Sequence, residues 1–177
     1  MLTAKLQGFT LPELLTTLSV IIISISLSLP NFYTYIQENV SIADINHIKK
    51  LIYQAKSSAI SSGTHTTICV IDKSKKCDKS SNWKGSITIF YDSNRNGAID
   101  NSEKIIQKTE LGKHAESIKW RAFNNKGYLQ FSPLGLSTIS NGTFTYCSKA
   151  SLPMRQLVMN RQGRLRIRKT PHTNAHC

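Results

Sequence analysis

The chain has 177 residues, 23 of them Lys or Arg and 10 Asp or Glu, for a formal charge of +13. That length holds one core with an appended helix and excludes two large domains. The charge exceeds what solubility needs and points to a polyanionic partner, the more so because no carboxylate follows Glu116 while ten Lys or Arg do. Cys69, Cys77, Cys147 and Cys177 form an even set without a CxxC pair. Such a set disfavours zinc and redox catalysis and suits disulfides outside the cytosol. Three pairings are open; Cys69 with Cys77 across a short loop and Cys147 with Cys177 is favoured, stapling the tail to the body.

Residues 1–8 read as a short leader, followed by a mostly apolar run over 9–29, long enough to cross a bilayer as a helix. The apparent processing signal, Gly8-Phe9, precedes that run instead of following it, so cleavage would retain the segment. Glu13 lies near its start, where an ionised carboxylate is costly in hydrocarbon unless paired. The amine of Phe9 in a neighbouring subunit, freed by cleavage, is its expected partner.

Residues 30–62 continue the helix into water. Ile45, Ile48, Ile52, Ala55 and Ala59 recur at three-and-four spacing and form one core-facing stripe, and Pro30 is expected to kink the junction. Over 63–177 the pattern changes to short β-branched and aromatic segments: THTTICVI, GSITIFY, SIKWRAF, YLQF, GTFTYC and RQLVM. Gly, Asn and Asp clusters separate them at hairpin spacing. The fold class is therefore α+β, a long N-terminal helix packed on antiparallel sheets, with a basic C-terminal tail.

Between GSITIFY and EKIIQK, the residues Asp92, Asn94, Asn96, Gly97, Asp100 and Glu103 fit the letters of a calcium-binding EF-hand loop. The flanks read as strands where an EF-hand requires helices, and Asn, Asp and Gly are also what a tight turn uses. The turn is the favoured reading, with calcium as the minor alternative. His172 and His176 stand four apart beside Cys177 in a tail expected to be irregular, and His47, His65 and His114 lie in unrelated segments. No HExxH, GxSxG or phosphate-binding glycine loop is present. Neither enzyme chemistry nor a cofactor is implied.

The stretch NRQGRLRIRK holds five cations in ten residues. RQLVM, NRQG and RLRIRK read as a hairpin whose Gly163 takes the strained turn position. On a strand, alternate residues share a face, so Arg164, Arg166 and Arg168 project together while Leu165 and Ile167 turn to the core. Same-face neighbours stand about 7 Å apart, close to the phosphate spacing along a nucleic-acid strand. Arg161 in the turn and Lys169 beyond it extend the patch. Aromatic side chains on which bases could stack are missing after Tyr146, which favours phosphate contact without sequence reading.

KLQGFTLPELL resembles the processing signal of type IV pilins and pseudopilins. CVIDKSKKC, the W-x-G at Trp83, FYDSNRNGAIDNSEKII and the terminal GRLR extend the resemblance, over nearly the whole chain, to the FimT/GspH family of minor pilins and pseudopilins. The resemblance implies cleavage after Gly8 by a prepilin peptidase, a methylated Phe9, and Glu13 as the fifth mature residue. It also implies single-pass anchoring in the bacterial inner membrane with a periplasmic domain, then assembly with other pilins into a pilus at the cell surface. In the FimT branch a GRxR motif near the C-terminus is linked to DNA binding in natural transformation, a role that would fall on Gly163, Arg164 and Arg166. The expected function is sequence-independent capture of DNA, at least as readily duplex as single-stranded. The alternative is a structural pseudopilin of type II secretion.

Overall fold

The computed structural model describes residues 8–111, 117–138, 141–147 and 154–170, with the side chains of 27–31, 33 and 117 outside that set. Its elements are a helix, α1 (Leu11–Ser62), and the strands β1 (Thr66–Val70), β2 (Ser86–Tyr91), β3 (Ile105–Glu110), β4 (Ser117–Ala122), β5 (Leu129–Phe131), β6 (Gly142–Cys147), β7 (Met154–Met159) and β8 (Leu165–Thr170). The chain divides into two compact units, Met1–Gln37 and Glu38–Cys177.

In the first unit, Thr10 and Glu13 form the sequence pattern of a capping box at the start of α1. A Glu13 carboxylate oxygen lies 3.5 Å from both the backbone nitrogen and the hydroxyl of Thr10, at the long limit of hydrogen bonding. The acid expected to seek a neighbouring subunit thus also has a local role. Leu14, Leu18, Ile21, Ile22, Ile23 and Ile25 are exposed on several sides of the helix instead of along one stripe. Between them, Ser19, Ser24 and Ser26 donate their hydroxyls to the carbonyls of Leu15, Val20 and Ile22 at 2.7–2.8 Å. Their hydroxyl hydrogens are satisfied by the helix's own backbone. Among the described residues no helix is long and apolar enough to cross a membrane. The span expected over 9–29 runs into residues whose side chains lie outside the described set. The helix is continuous through Pro30.

In the second unit, the stripe expected from spacing is fully buried: Ile45, Ile48, Ile52, Ala55 and Ala59 are all 0% exposed. Burying an isoleucine contributes roughly 1.5–3 kcal/mol, so this stripe anchors the helix to the sheets. Gly63, at φ +65°, ends α1 in the left-handed conformation that a helix C-terminus favours. The strands form two four-stranded antiparallel sheets, ordered β3-β2-β1-β5 and β4-β6-β7-β8. One apolar core joins the helix to both sheets. At its centre the Phe144 ring lies 4.7 Å from Trp83 and 4.4 Å from Trp120, measured between centroids. The indole nitrogens donate to the carbonyls of Gly127 and Lys126, which ties the β4–β5 connection to this aromatic cluster.

A bond between Cys69 and Cys77 closes the short loop after β1, and no described cysteine is free. Cys147 ends β6; the partner expected for it, Cys177, lies outside the described residues. Ile167 departs from expectation. It is 40% exposed, although strand alternation points it toward the core side. The reason is that β8 is the edge strand of its sheet, and only Leu165, beside the turn, reaches the core.

Candidate nucleic-acid interface

The β7–β8 turn is held by its own backbone and by two other segments. The Asn160 side chain accepts from the Arg164 backbone nitrogen at 2.8 Å, and the Asn160 carbonyl accepts from Gly163 at 2.9 Å. Lys56 of α1 donates to the Gln162 carbonyl at 2.8 Å, and the Ser137 backbone donates to the Arg161 carbonyl at 2.9 Å. Gly163 has φ +73°, and a Cβ there would lie 3.2 Å from the Phe131 ring and 3.3 Å from the Lys56 ammonium. Glycine is needed there for both conformation and clearance, and the turn it allows sets Arg161 and Arg164 on either side of it.

Arg164 precedes β8, yet it lines one shallow groove with Arg166, Arg168, Val158 and Asn160. The stripe expected from alternation is thus present, all three arginines being exposed. Arg161, also exposed, sits in the turn itself. Lys169 belongs elsewhere. It pairs in register with Arg155, and both reach Glu38 of α1, Lys169 at 3.0 Å and Arg155 at 2.7 Å. Arg155 further donates to the Ser41 hydroxyl at 3.2 Å. The hydrogen bond and charge of Lys169, aided by Arg155, hold the Glu38 carboxyl below the usual carboxylate range against the opposing cost of desolvation. Strand alternation therefore removes Lys169 from the arginine stripe.

The calcium-like loop is closed by internal hydrogen bonds. Asp92 is 0% exposed and accepts from Thr67 at 2.6 Å, from Gln130 at 2.9 Å, and from the backbone of Asn96 and Gly97. Asp100 accepts from the amides of Asn94 and Asn96, and Glu103 from the backbone of Ser93 and Asp100. These groups act as the acceptors of a hairpin turn, the favoured reading. Among the described residues no group of three His, Cys, Asp or Glu is placed to hold a metal. His172 and His176 lie outside the described residues, while Phe9 is exposed at the start of the described chain.

A second cationic feature escaped the sequence reading. Lys79, Lys119, Arg121 and Lys126 line an open cleft of about 700 Å³ whose floor includes Thr143, Thr145 and Gln156. Its signal was the KWR alternation in SIKWRAF, which places Trp120 inward and its two neighbours outward.

A helix packed on two antiparallel sheets is a fold shared with solved type IV minor pilins. The minor pilin FimU of Pseudomonas aeruginosa PAO1 matches with TM-score 0.57 and 19% identity, over 78% of this chain and 94% of FimU. A second crystal form of FimU matches with TM-score 0.51 and 17% identity, over 76% and 95%. The minor pseudopilin EpsH of the Vibrio cholerae type 2 secretion system matches with TM-score 0.48 and 15% identity, over 73% and 96%. Residues 44–163 match the family described as type II transport protein GspH, and the chain belongs to that family. No curated protein matches it.

Proposed function

We propose that the protein is a non-enzymatic minor pilin of FimT type that captures extracellular DNA, independent of sequence, for uptake in natural transformation. The carrying observation is the convergence of Arg164, Arg166 and Arg168 on one groove, in a part of the chain without any carboxylate after Glu116. Guanidinium groups make bidentate hydrogen bonds with phosphate, and the Asn160 amide lining the same groove is engaged by the Gln162 side chain and the Arg164 backbone. The many exposed apolar side chains of the first part of α1 support a membrane-anchored form that later assembles with other pilins, since so much exposed apolar surface calls for a partner or a membrane to cover it. On this reading prepilin peptidase cuts after Gly8, and Glu13 pairs with a neighbour's Phe9 amine during assembly.

The test uses the full chain in neutral detergent and a fluorescent duplex of random sequence, titrated across salt. If about four phosphates are neutralised, the log–log slope of affinity against salt is near −3.6. Replacing Arg164 and Arg166 with Gln removes about half that slope and lowers transformation, while folding and piliation persist. Absence of binding even in dilute buffer would refute the reading. The family match favours a second one, a structural pseudopilin of type II secretion whose basic hairpin meets a neighbouring subunit. Under that reading the double variant impairs secretion and leaves transformation unchanged.

A further inference from the structure

We propose that the outer face of the second sheet carries two cationic rails, one on β8 and one on β4, which together seat the two backbones of a DNA duplex. This rests on the DNA-capture reading and gives it a substrate form. The registers carry the argument. Arg121 pairs with Thr143, Thr143 with Val158, and Val158 with Arg166. One row along, Lys119 pairs with Thr145, Thr145 with Gln156, and Gln156 with Arg168. Directly opposed residues on neighbouring strands share a face, so each row runs straight across the sheet. Both rows begin and end in a cation, and both have an uncharged centre.

The dimensions separate a duplex from a single strand. From β4 to β8 is three strand spacings, or about 14 Å. That interval is of the order of the B-DNA major groove, about 12 Å wide, which has one phosphate backbone on either side. Thr143, Gln156 and Val158, half-buried, and Thr145, buried, lie along the floor between, with no charge to hold the duplex off. Lys79 and Lys126, lining the cleft beside β4, extend that rail. A single strand has one backbone and fits one rail at a time. An acidic protein would also favour cations, but two parallel lines of charge with a neutral floor match the regular paired charges of a duplex better.

Affinity of the full chain in detergent is measured across salt for a 20-base-pair duplex and for a 20-nucleotide single strand, lengths of about two helical turns. Lys119→Gln with Arg121→Gln is expected to flatten the duplex salt slope by about 1.8, the share of two phosphates. Single-strand affinity changes less than about twofold, because the β8 rail is intact, and Lys119→Arg with Arg121→Lys restores the duplex slope. Thermal unfolding of each variant confirms that the sheet is retained. If the β4 variant leaves duplex binding unchanged while Arg164→Gln with Arg166→Gln weakens it, the two-rail geometry is wrong and DNA capture survives. Equal losses for duplex and single strand also overturn the two rails, in favour of general attraction. If neither variant affects binding, or the chain binds no DNA, the underlying reading fails as well.

Discussion

In the first sheet a buried carboxylate, Asp92, gathers donors from β1, β5 and its own loop, whereas the second sheet turns Lys119, Arg121, Arg166 and Arg168 outward beside an uncharged floor. Both sheets are four-stranded, antiparallel and packed on the same helix stripe. Their polar chemistry differs because of where the acids fall in the chain. Asp72, Asp78, Asp92, Asp100, Glu103 and Glu110 all lie in the strands and loops of the first sheet, and no carboxylate lies in β4 through β8. An acid beside a donor-rich turn folds the turn inward. A face whose strands hold no acid keeps a net positive charge, with Arg121, Arg166 and Arg168 exposed on it. One sheet therefore folds its acids inward, while the other carries its charge as an acid-free cationic face.

The comparison breaks most visibly at Asp92. Asp92→Ala takes the acceptor from the Thr67 hydroxyl and the Gly97 amide and one of two acceptors from Gln130 and Asn96, and should destabilise the fold by about 4 kcal/mol in denaturant unfolding. Calcium or a chelator should leave the thermal midpoint of the unaltered protein in place. A rise with calcium would mean that the loop opens its acceptors to a cation and that the first sheet also serves a ligand. The next effect in size belongs to the Cys69–Cys77 bond, which spans 8 residues of sequence. Replacing both with Ser should cost about 2.5 kcal/mol, the loop-closure value for so short a ring, and should leave DNA affinity unchanged. A matched loss of DNA affinity would join the two sheets functionally.

These differences were unequally legible in the sequence. The helix stripe and the strands could be read because burial there follows local periodicity: Ile45 through Ala59 at helical spacing, and alternation within each β segment. Arg166 and Arg168 were visible for the same reason, lying on a single strand, with Arg164 directly before it. The β4 rail was not, because it requires knowing that Arg121 stands across from Arg166 through two intervening strands, and register between distant segments is set by tertiary pairing. Ile167 was misjudged because alternation tells which side a residue faces, not whether anything covers that side. An edge strand leaves it half bare. The exposed Phe123, just past β4, likewise has no local signature that distinguishes it from the core aromatics.

The smallest predicted effect is also the sharpest discriminator, because composition and geometry disagree about Lys169. Counted as charge, it extends the stripe RLRIRK, and removing it should weaken DNA binding as much as removing any arginine there. Placed by register, it faces Arg155 and shares Glu38 with it, on the other side of β8 from Arg166 and Arg168. Lys169→Gln should accordingly change duplex affinity less than about twofold and flatten the salt slope by well under the 0.9 expected for one phosphate contact. Its effect should instead appear in the pH dependence of stability. Glu38 has its pKa lowered in the folded protein, so its contribution is present above the ordinary carboxylate pKa and is lost as pH falls through the lowered one. Without Lys169 the largest cause of that lowering is gone, and the acid-side loss of thermal stability should shift to higher pH. A variant that keeps the original acid profile but loses DNA affinity would return Lys169 to the stripe and remove the distinction between the two faces of β8.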